Sequence, residues 1–150
     1  MMEIRKMTEK DIPLLKSIDA SYESESYLDW QEEGEGFNRR YILTEESFDT
    51  PFVKREYGID DKEEVALYRA LDSQEELALV AEIDGKIVGC LHTAILDWRE
   101  VAFIWGIYVD RTCRRMGIGH ALMQKAVEWS REKELKAIYF AFDEYSLTDE

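Results

Sequence analysis

Apolar and polar residues alternate along this chain in ways that outline its elements. Val101 to Val109 (VAFIWGIYV) is an almost unbroken apolar run, rich in β-branched and aromatic side chains, and predicts a buried strand. After a basic, glycine-bearing turn, Ile118, Ala121, Leu122, Ala126 and Trp129 fall on one face of a helix running from about Ile118 to Glu134. Gln124, Lys125, Glu128, Arg131 and Glu132 lie largely off that face. KAIYFAF (136–142) predicts a second, shorter strand. Strand, helix and strand in this order form a βαβ unit, so the two strands are expected to pair in parallel. Upstream, LALVAEI (77–83) and KIVGCLHTAI (86–95) read as two strands joined by the hairpin turn Asp84-Gly85, and Asp97 to Glu100 makes the next turn. An antiparallel meander feeding one parallel crossover predicts an α/β chain with a mixed sheet.

The first half is less regular. Glu3 to Met7 alternates as a short strand. Thr8 reads as a helix N-cap with Asp11 at the last place of a near capping box, followed by Ile12, Leu15 and Ile18 at helical spacing. Ser21 to Gly36 is acidic and serine-rich, with Tyr22, Tyr27, Leu28 and Trp30 interleaved. It reads either as a partly ordered loop with its aromatics tucked onto the core, or as a surface on which Tyr22, Tyr27 and Trp30 meet a cationic amine among carboxylates. Residues 37–43 and 48–57 suit short strands or a helical turn, 58–64 a polar connection, and Val65 to Leu71 either helix or strand.

Composition narrows the class. A chain of 150 residues with 45% hydrophobic and 12% aromatic content suits one domain, 1–150, with its own core. No apolar run reaches the ~20 residues needed to span a membrane. The N-terminus MMEIRKMTEK lacks the apolar centre of a signal peptide, so a cytoplasmic location is expected. The formal net charge of −14 argues against nucleic acid as a partner. That acidity either keeps the chain soluble or draws a cationic amine. Cys90, Cys113, His92 and His120 show no metal-ligand spacing, and no metal is expected. Cys90 reads as a small core residue.

The turn after Val109 carries the candidate chemistry. Arg114, Arg115, Met116, Gly117, Ile118 and Gly119 put two guanidinium groups and two glycines at the mouth of a helix. The first helical N–H groups have no intrahelical acceptor and carry the positive end of the helix dipole. Glycine lets backbone approach a ligand closely, so the stretch suits a phosphate or pyrophosphate. It lacks the G-x-x-x-x-G-K-[ST] of a nucleotide P-loop, and Leu122 stands where a dinucleotide fingerprint needs Gly or Ala. The plain alternative is a glycine turn that binds nothing.

Arg114, Gly117 and Gly119 match R/Q-x-x-G-x-G/A, and with Ile107-Tyr108-Val109 before them and the amphipathic helix after them the stretch resembles the GNAT N-acetyltransferases. I-R-x-M-T-x-x-D-I at 4–12 resembles the first strand and helix of the same family. Pro51 to Lys54, Trp98 and Glu128-Trp129 are loosely similar to the streptothricin acetyltransferases within it. The resemblance implies an acyl-CoA N-acyltransferase-like fold and acetyl-CoA lying between the central strand and its parallel neighbour. It further implies a pantetheine arm on the backbone of Ile107, Tyr108 and Val109, and a pyrophosphate on the amides of Arg115, Met116, Gly117, Ile118, Gly119 and His120. The Val109 N–H would polarise the thioester carbonyl. The implied activity is transfer of an acetyl group to a primary amine of a small cationic molecule.

Two features depart from the family pattern. Trp105 stands where many members carry a glutamate base, leaving Glu100 as a candidate base, or merely a solvated turn residue. Against the family pattern the last helix and strands are expected to be missing and the fold C-terminally shortened, with Tyr145 as the remaining tail tyrosine that could act as an acid. The last strand is then expected to expose an edge and one sheet face to lack a covering helix, which favours a homodimer or swapped assembly, or marks a truncation. The alternative function is a CoA-binding regulatory or interaction module without turnover; a third is a purely structural domain.

Overall fold

A computed structural model describes residues 1–55 and 58–141. In chain order the strands are β1 (Met2–Lys6), β2 (Tyr22–Glu35), β3 (Asn38–Lys54), β4 (Glu76–Ile83), β5 (Lys86–Leu96), β6 (Val101–Val109) and β7 (Ala137–Tyr139). The helices are α1 (Asp61–Ala70) and α2 (Ile118–Glu132), with short 3-10 helices at Ile12–Ser17 and Arg111–Cys113. Contacts divide the chain into two compact units, with Ser21–Arg55 separate from the segments on either side of it.

The larger unit is built on a five-stranded sheet in the order β1-β4-β5-β6-β7. All pairs are antiparallel except β6 with β7, which is parallel as the βαβ pattern predicts. Helical elements cover both faces, which explains why β4 reads as continuous apolar sequence rather than as alternation. Leu77, Leu79 and Ala81 pack with Leu91 and Ile104 beneath Ile118, Leu122 and Ala126 of α2. Ala78 and Val80 point the other way and meet Ile12 and Leu15 of the first 3-10 helix and Leu67 of α1. The expectation of a face without a covering helix is therefore corrected. The cover is nevertheless uneven: Phe103 packs edge-on against Trp105 at 4.7 Å and Tyr139 at 5.1 Å, and Trp105 stays half-exposed.

The smaller unit corrects the reading of 21–55. It is one long hairpin, β2 against β3, turning at Gly36-Phe37 between the paired residues Glu35 and Asn38. Its pattern was illegible because charged residues occupy both faces and the apolar ones remain exposed, among them Leu28, Trp30, Tyr41 and Leu43. Cross-strand pairing supplies what burial does not: Trp30 sits opposite Leu43, with its ring 6.0 Å from that of Tyr41. Ion pairs Glu32–Arg39 at 2.5 Å and Glu33–Arg40 close the turn end.

Three smaller corrections follow. The first helix is a 3-10 turn beginning at Ile12, and Thr8 does not cap it. Residues 58–64 are not simply a connection, because Asp60 starts α1 with a capping box: its Oδ1 accepts from Glu63 N at 2.8 Å, and Glu63 Oε2 accepts from Asp60 N at 3.0 Å. The last strand spans Ala137–Tyr139 rather than 136–142, and Phe142 lies outside the described residues. Among the described residues, no strand lies on the outer side of β7.

Asp11 ties the sheet to the first 3-10 helix instead of completing a cap. It accepts from Arg5 at 2.7 and 2.9 Å and from Thr8 N and Oγ1 at 2.8 and 2.9 Å, while Arg5 also reaches Glu82 on β4 at 2.8 Å. The Arg5 guanidinium outweighs burial and, with Thr8, lowers the Asp11 carboxyl from an ordinary 3.8 to about 2. A folded-state value below the unfolded one adds stability above the unfolded value and loses it as pH falls through the folded one. Asp11→Asn is therefore expected to cost about 2 kcal/mol at pH 6. In denaturant titrations the gap to the parent should narrow as pH drops from 4 towards about 2.

Candidate active site

The turn from β6 to α2 is anchored by Asp110. Its Oδ1 accepts from Thr112 N at 3.0 Å and Thr112 Oγ1 at 2.7 Å, and its Oδ2 from Asp19 N at 3.0 Å. Burial opposes the charged form, but these hydrogen bonds and nearby Lys86 prevail and hold the carboxyl below its ordinary value. Its backbone N–H donates to Val88 O at 2.8 Å, fixing the end of β6 against β5.

Arg114 folds back so that its Nε donates to Val109 O at 3.3 Å. Arg115 is exposed with φ +65°, and Gly117 caps α2 at φ +84°, ψ +6° with no side-chain bond. Nothing lies within 4 Å of a Cβ placed on Gly117, so its backbone conformation, not crowding, calls for glycine. A Cβ on Gly119 would meet only Val109 Cγ2, at 3.9 Å. The first helical bond is Ala121 N to Gly117 O at 3.0 Å, so the amides of Ile118, Gly119 and His120 precede the intrahelical ladder.

Beside this turn β6 has an open edge. β7 pairs with Val101, Ala102 and Phe103 only, while β5 continues alongside as far as Val109. The Ile104 to Val109 backbone, including Ile107 and Tyr108, therefore has a strand on one side alone among the described residues. Register also slips within this stretch: His92 faces Gly106 and Thr93 faces Ile104, leaving Trp105 as a bulge.

The other candidate residues are dispersed. Glu100 opens β6 at the end opposite Val109, with φ +56° and an ion pair to Lys136, so it is not brought to the glycine turn. Tyr145 lies outside the described residues. Tyr27 and Trp30 belong to the hairpin unit, where the Tyr27 ring lies 4.8 Å from that of Phe48. Cys90 is buried, and burial, with a contribution from Glu63, pushes its thiol up to about 12.

A narrow, partly open pocket that sequence reasoning missed lies in the larger unit, and Glu63, His92, Gly106 and Tyr108 line it. Tyr108 Oη donates to Glu63 Oε1 at 2.7 Å, and His92 Nε2 lies 2.9 Å from Glu76 Oε1. Gly106 makes room for the Tyr108 ring, since a Cβ there would sit 2.8 Å from Tyr108 Cε2. The one signal available was D-x-x-E at 60–63, a capping box that brings Glu63 to a fixed place.

Residues 39–147 match the family model described as Acetyltransferase (GNAT) family. The chain belongs to the GNAT acetyltransferases. Streptothricin acetyltransferase A of Bacillus subtilis strain 168 is 28% identical to this GNAT chain over 95 residues, covering 63% of this chain and 51% of that protein. Streptothricin acetyltransferase of Streptomyces lavendulae is 29% identical over 133 residues, 87% of this chain and 67% of that one. The chain thus spans about half the length of the first relative and two thirds of the second. Among solved structures, nourseothricin acetyltransferase superposes with a TM-score of 0.74 at 21% identity, covering 93% of this chain and 72% of that one. A streptothricin acetyltransferase candidate from Bacillus anthracis str. Ames, solved in complex with acetyl coenzyme A, gives the same score and identity with 93% and 74% covered. The mixed α/β fold is that of the GNAT family.

The two glycines of this GNAT turn are expected to differ in what they tolerate. Gly117→Ala should lower unfolding free energy by about 1 kcal/mol through its positive φ. Gly119→Ala, with room for a Cβ, should change it by less than about 0.5 kcal/mol. Urea titration of the two variants distinguishes them.

Proposed function

We propose that this chain is an acetyl-CoA-dependent N-acetyltransferase acting on a primary amine of a small cationic molecule. The observation that carries the reading is the junction of an open strand edge with a glycine turn at a helix start. The two parts suit the two chemistries of CoA. A pantetheine arm carries amides that can pair with an open strand edge, here Ile104 to Val109. A pyrophosphate suits free amides at a helix mouth, here Arg115 to His120, with the exposed Arg115 guanidinium nearby. When bound, acetyl-CoA supplies an activated acyl thioester.

The chain's own work is binding and orientation. Arg114 steadies the end of β6 through Val109 O, and the Val109 N–H is the donor proposed for the acyl carbonyl oxygen. The acceptor is argued from charge and from the named relatives. A net charge of −14 favours a cation, and the curated relatives are named for acetylating streptothricin. Tyr27 and Trp30 on the hairpin offer aromatic faces to such a cation. No described helix is long and apolar enough to cross a membrane, and acetyl-CoA chemistry is expected in the cytoplasm. A binding module without turnover is the second reading, favoured by the half-exposed Trp105 at the position of the usual base.

Calorimetric titration of acetyl-CoA into the 150-residue chain tests the cofactor assignment. Binding in the micromolar range is expected, weakened at least about tenfold in Gly117→Asp, where a carboxylate faces the phosphates. Equal binding by the variant, or none by the parent, overturns it.

A further inference from the structure

We propose that the pocket lined by α1, β5 and β6 receives the acceptor's aminomethylene arm, and that Glu63 takes the proton of its ammonium group. This rests on the acetyltransferase reading above. The walls contributed by Met7, Ile59 and Leu67 are apolar, and Glu63 supplies a carboxylate. Apolar walls around one acidic group suit methylene carbons carrying a primary ammonium, and leave little room for substituents on the nitrogen or the adjacent carbon.

Glu63 is the group best placed to accept a proton there. Its two oxygens are oriented by Tyr108 Oη at 2.7 Å and Asp60 N at 3.0 Å, and each retains a lone pair for another donor. Cys90 on the same wall is held as a thiol by burial and by the Glu63 charge. His92 is engaged by Glu76 at 2.9 Å. On the 3-10 helix beside α1, Lys16 is occupied by Asp61 at 2.6 Å and Glu64 at 3.0 Å.

Gly106 links this pocket to the acyl site. It lines the pocket and also lies on the open-edged part of β6, beside the bulge at Trp105. An amine entering from the α1 side therefore arrives at the strand proposed to hold the thioester. The ammonium gives one proton to Glu63, the neutral nitrogen bonds to the acyl carbon, and the C–S bond breaks. The nitrogen's second proton leaves with the thiolate, and Glu63 returns its proton to water. Ammonium and acetyl-CoA become amide, CoA thiol and one released proton.

The test compares the parent chain with Glu63→Gln, using 1,5-diaminopentane, cyclohexylamine and piperidine as acceptors and calorimetry for acetyl-CoA. The parent should acetylate diaminopentane at least about tenfold faster than the branched or secondary amine. Glu63→Gln should bind acetyl-CoA as the parent does and lose about 100-fold or more in kcat. Glu63→Asp should recover part of that rate. Undiminished turnover by Glu63→Gln, or equal rates on the three amines, overturns the proposal while leaving the acetyltransferase reading intact. A parent chain that acetylates no amine removes that reading, and the proposal with it. If Glu63→Gln fails to fold, the amine preference of the parent decides.

Discussion

β6 is hydrogen-bonded unequally on its two edges. β5 accompanies it from end to end, whereas β7 pairs with its first three residues and then stops. An unpaired strand edge presents N–H and C=O groups that must be met by water, a ligand or another strand. Here the open half is the end from which the chain enters the glycine turn. Among the described residues, the sheet thus gives Ile104 to Val109 a strand on one side and none on the other. The Asp110 and Arg114 hydrogen bonds maintain that junction, because they fix the end of β6 and the turn that follows it in one frame.

The rest of the larger unit supports this arrangement by packing on both faces of the sheet, most completely over β4 and β5. α2 must pack through Ile118, Leu122 and Ala126 for its first turn to stand beside Val109. On the other face, Leu67 holds α1 against the core formed with Met7, Val80, Cys90 and Tyr108. Polar ties such as Arg5–Asp11–Glu82 sit at the margin, where a network of charge-assisted bonds joins β1, β4 and the first turn without burying an unpaired charge.

Glu63 shows how one side chain serves two scales. As the N3 residue of α1 it completes a capping box, and from the same position it reaches Tyr108 across the pocket. A helix start is a rigid place from which to present a carboxylate. The bulge and Gly106 prepare the opposite wall, since the Tyr108 ring occupies the space that a side chain at Gly106 would fill. The geometry of this pocket therefore depends on residues far apart in sequence that the sheet and α1 bring together.

The sequence alone determined the elements whose signals are local or periodic. The meander from Leu77, the Asp84-Gly85 turn, the parallel crossover and the R-x-x-G-x-G turn were all legible, because a buried strand, an amphipathic helix and a left-handed glycine each restrict residue choice at short range. The long hairpin was not, since both its faces carry charge and its stability lies in cross-strand pairing. Nor was the role of Glu63, whose contact with Tyr108 spans 45 positions. The predicted strand already set Glu100 and the glycine turn at its opposite ends, and the structure keeps them there. Tertiary structure alone decided that β7 pairs briefly, because strand pairing length depends on the docking of α2 and on neighbouring backbone rather than on the apolar run itself.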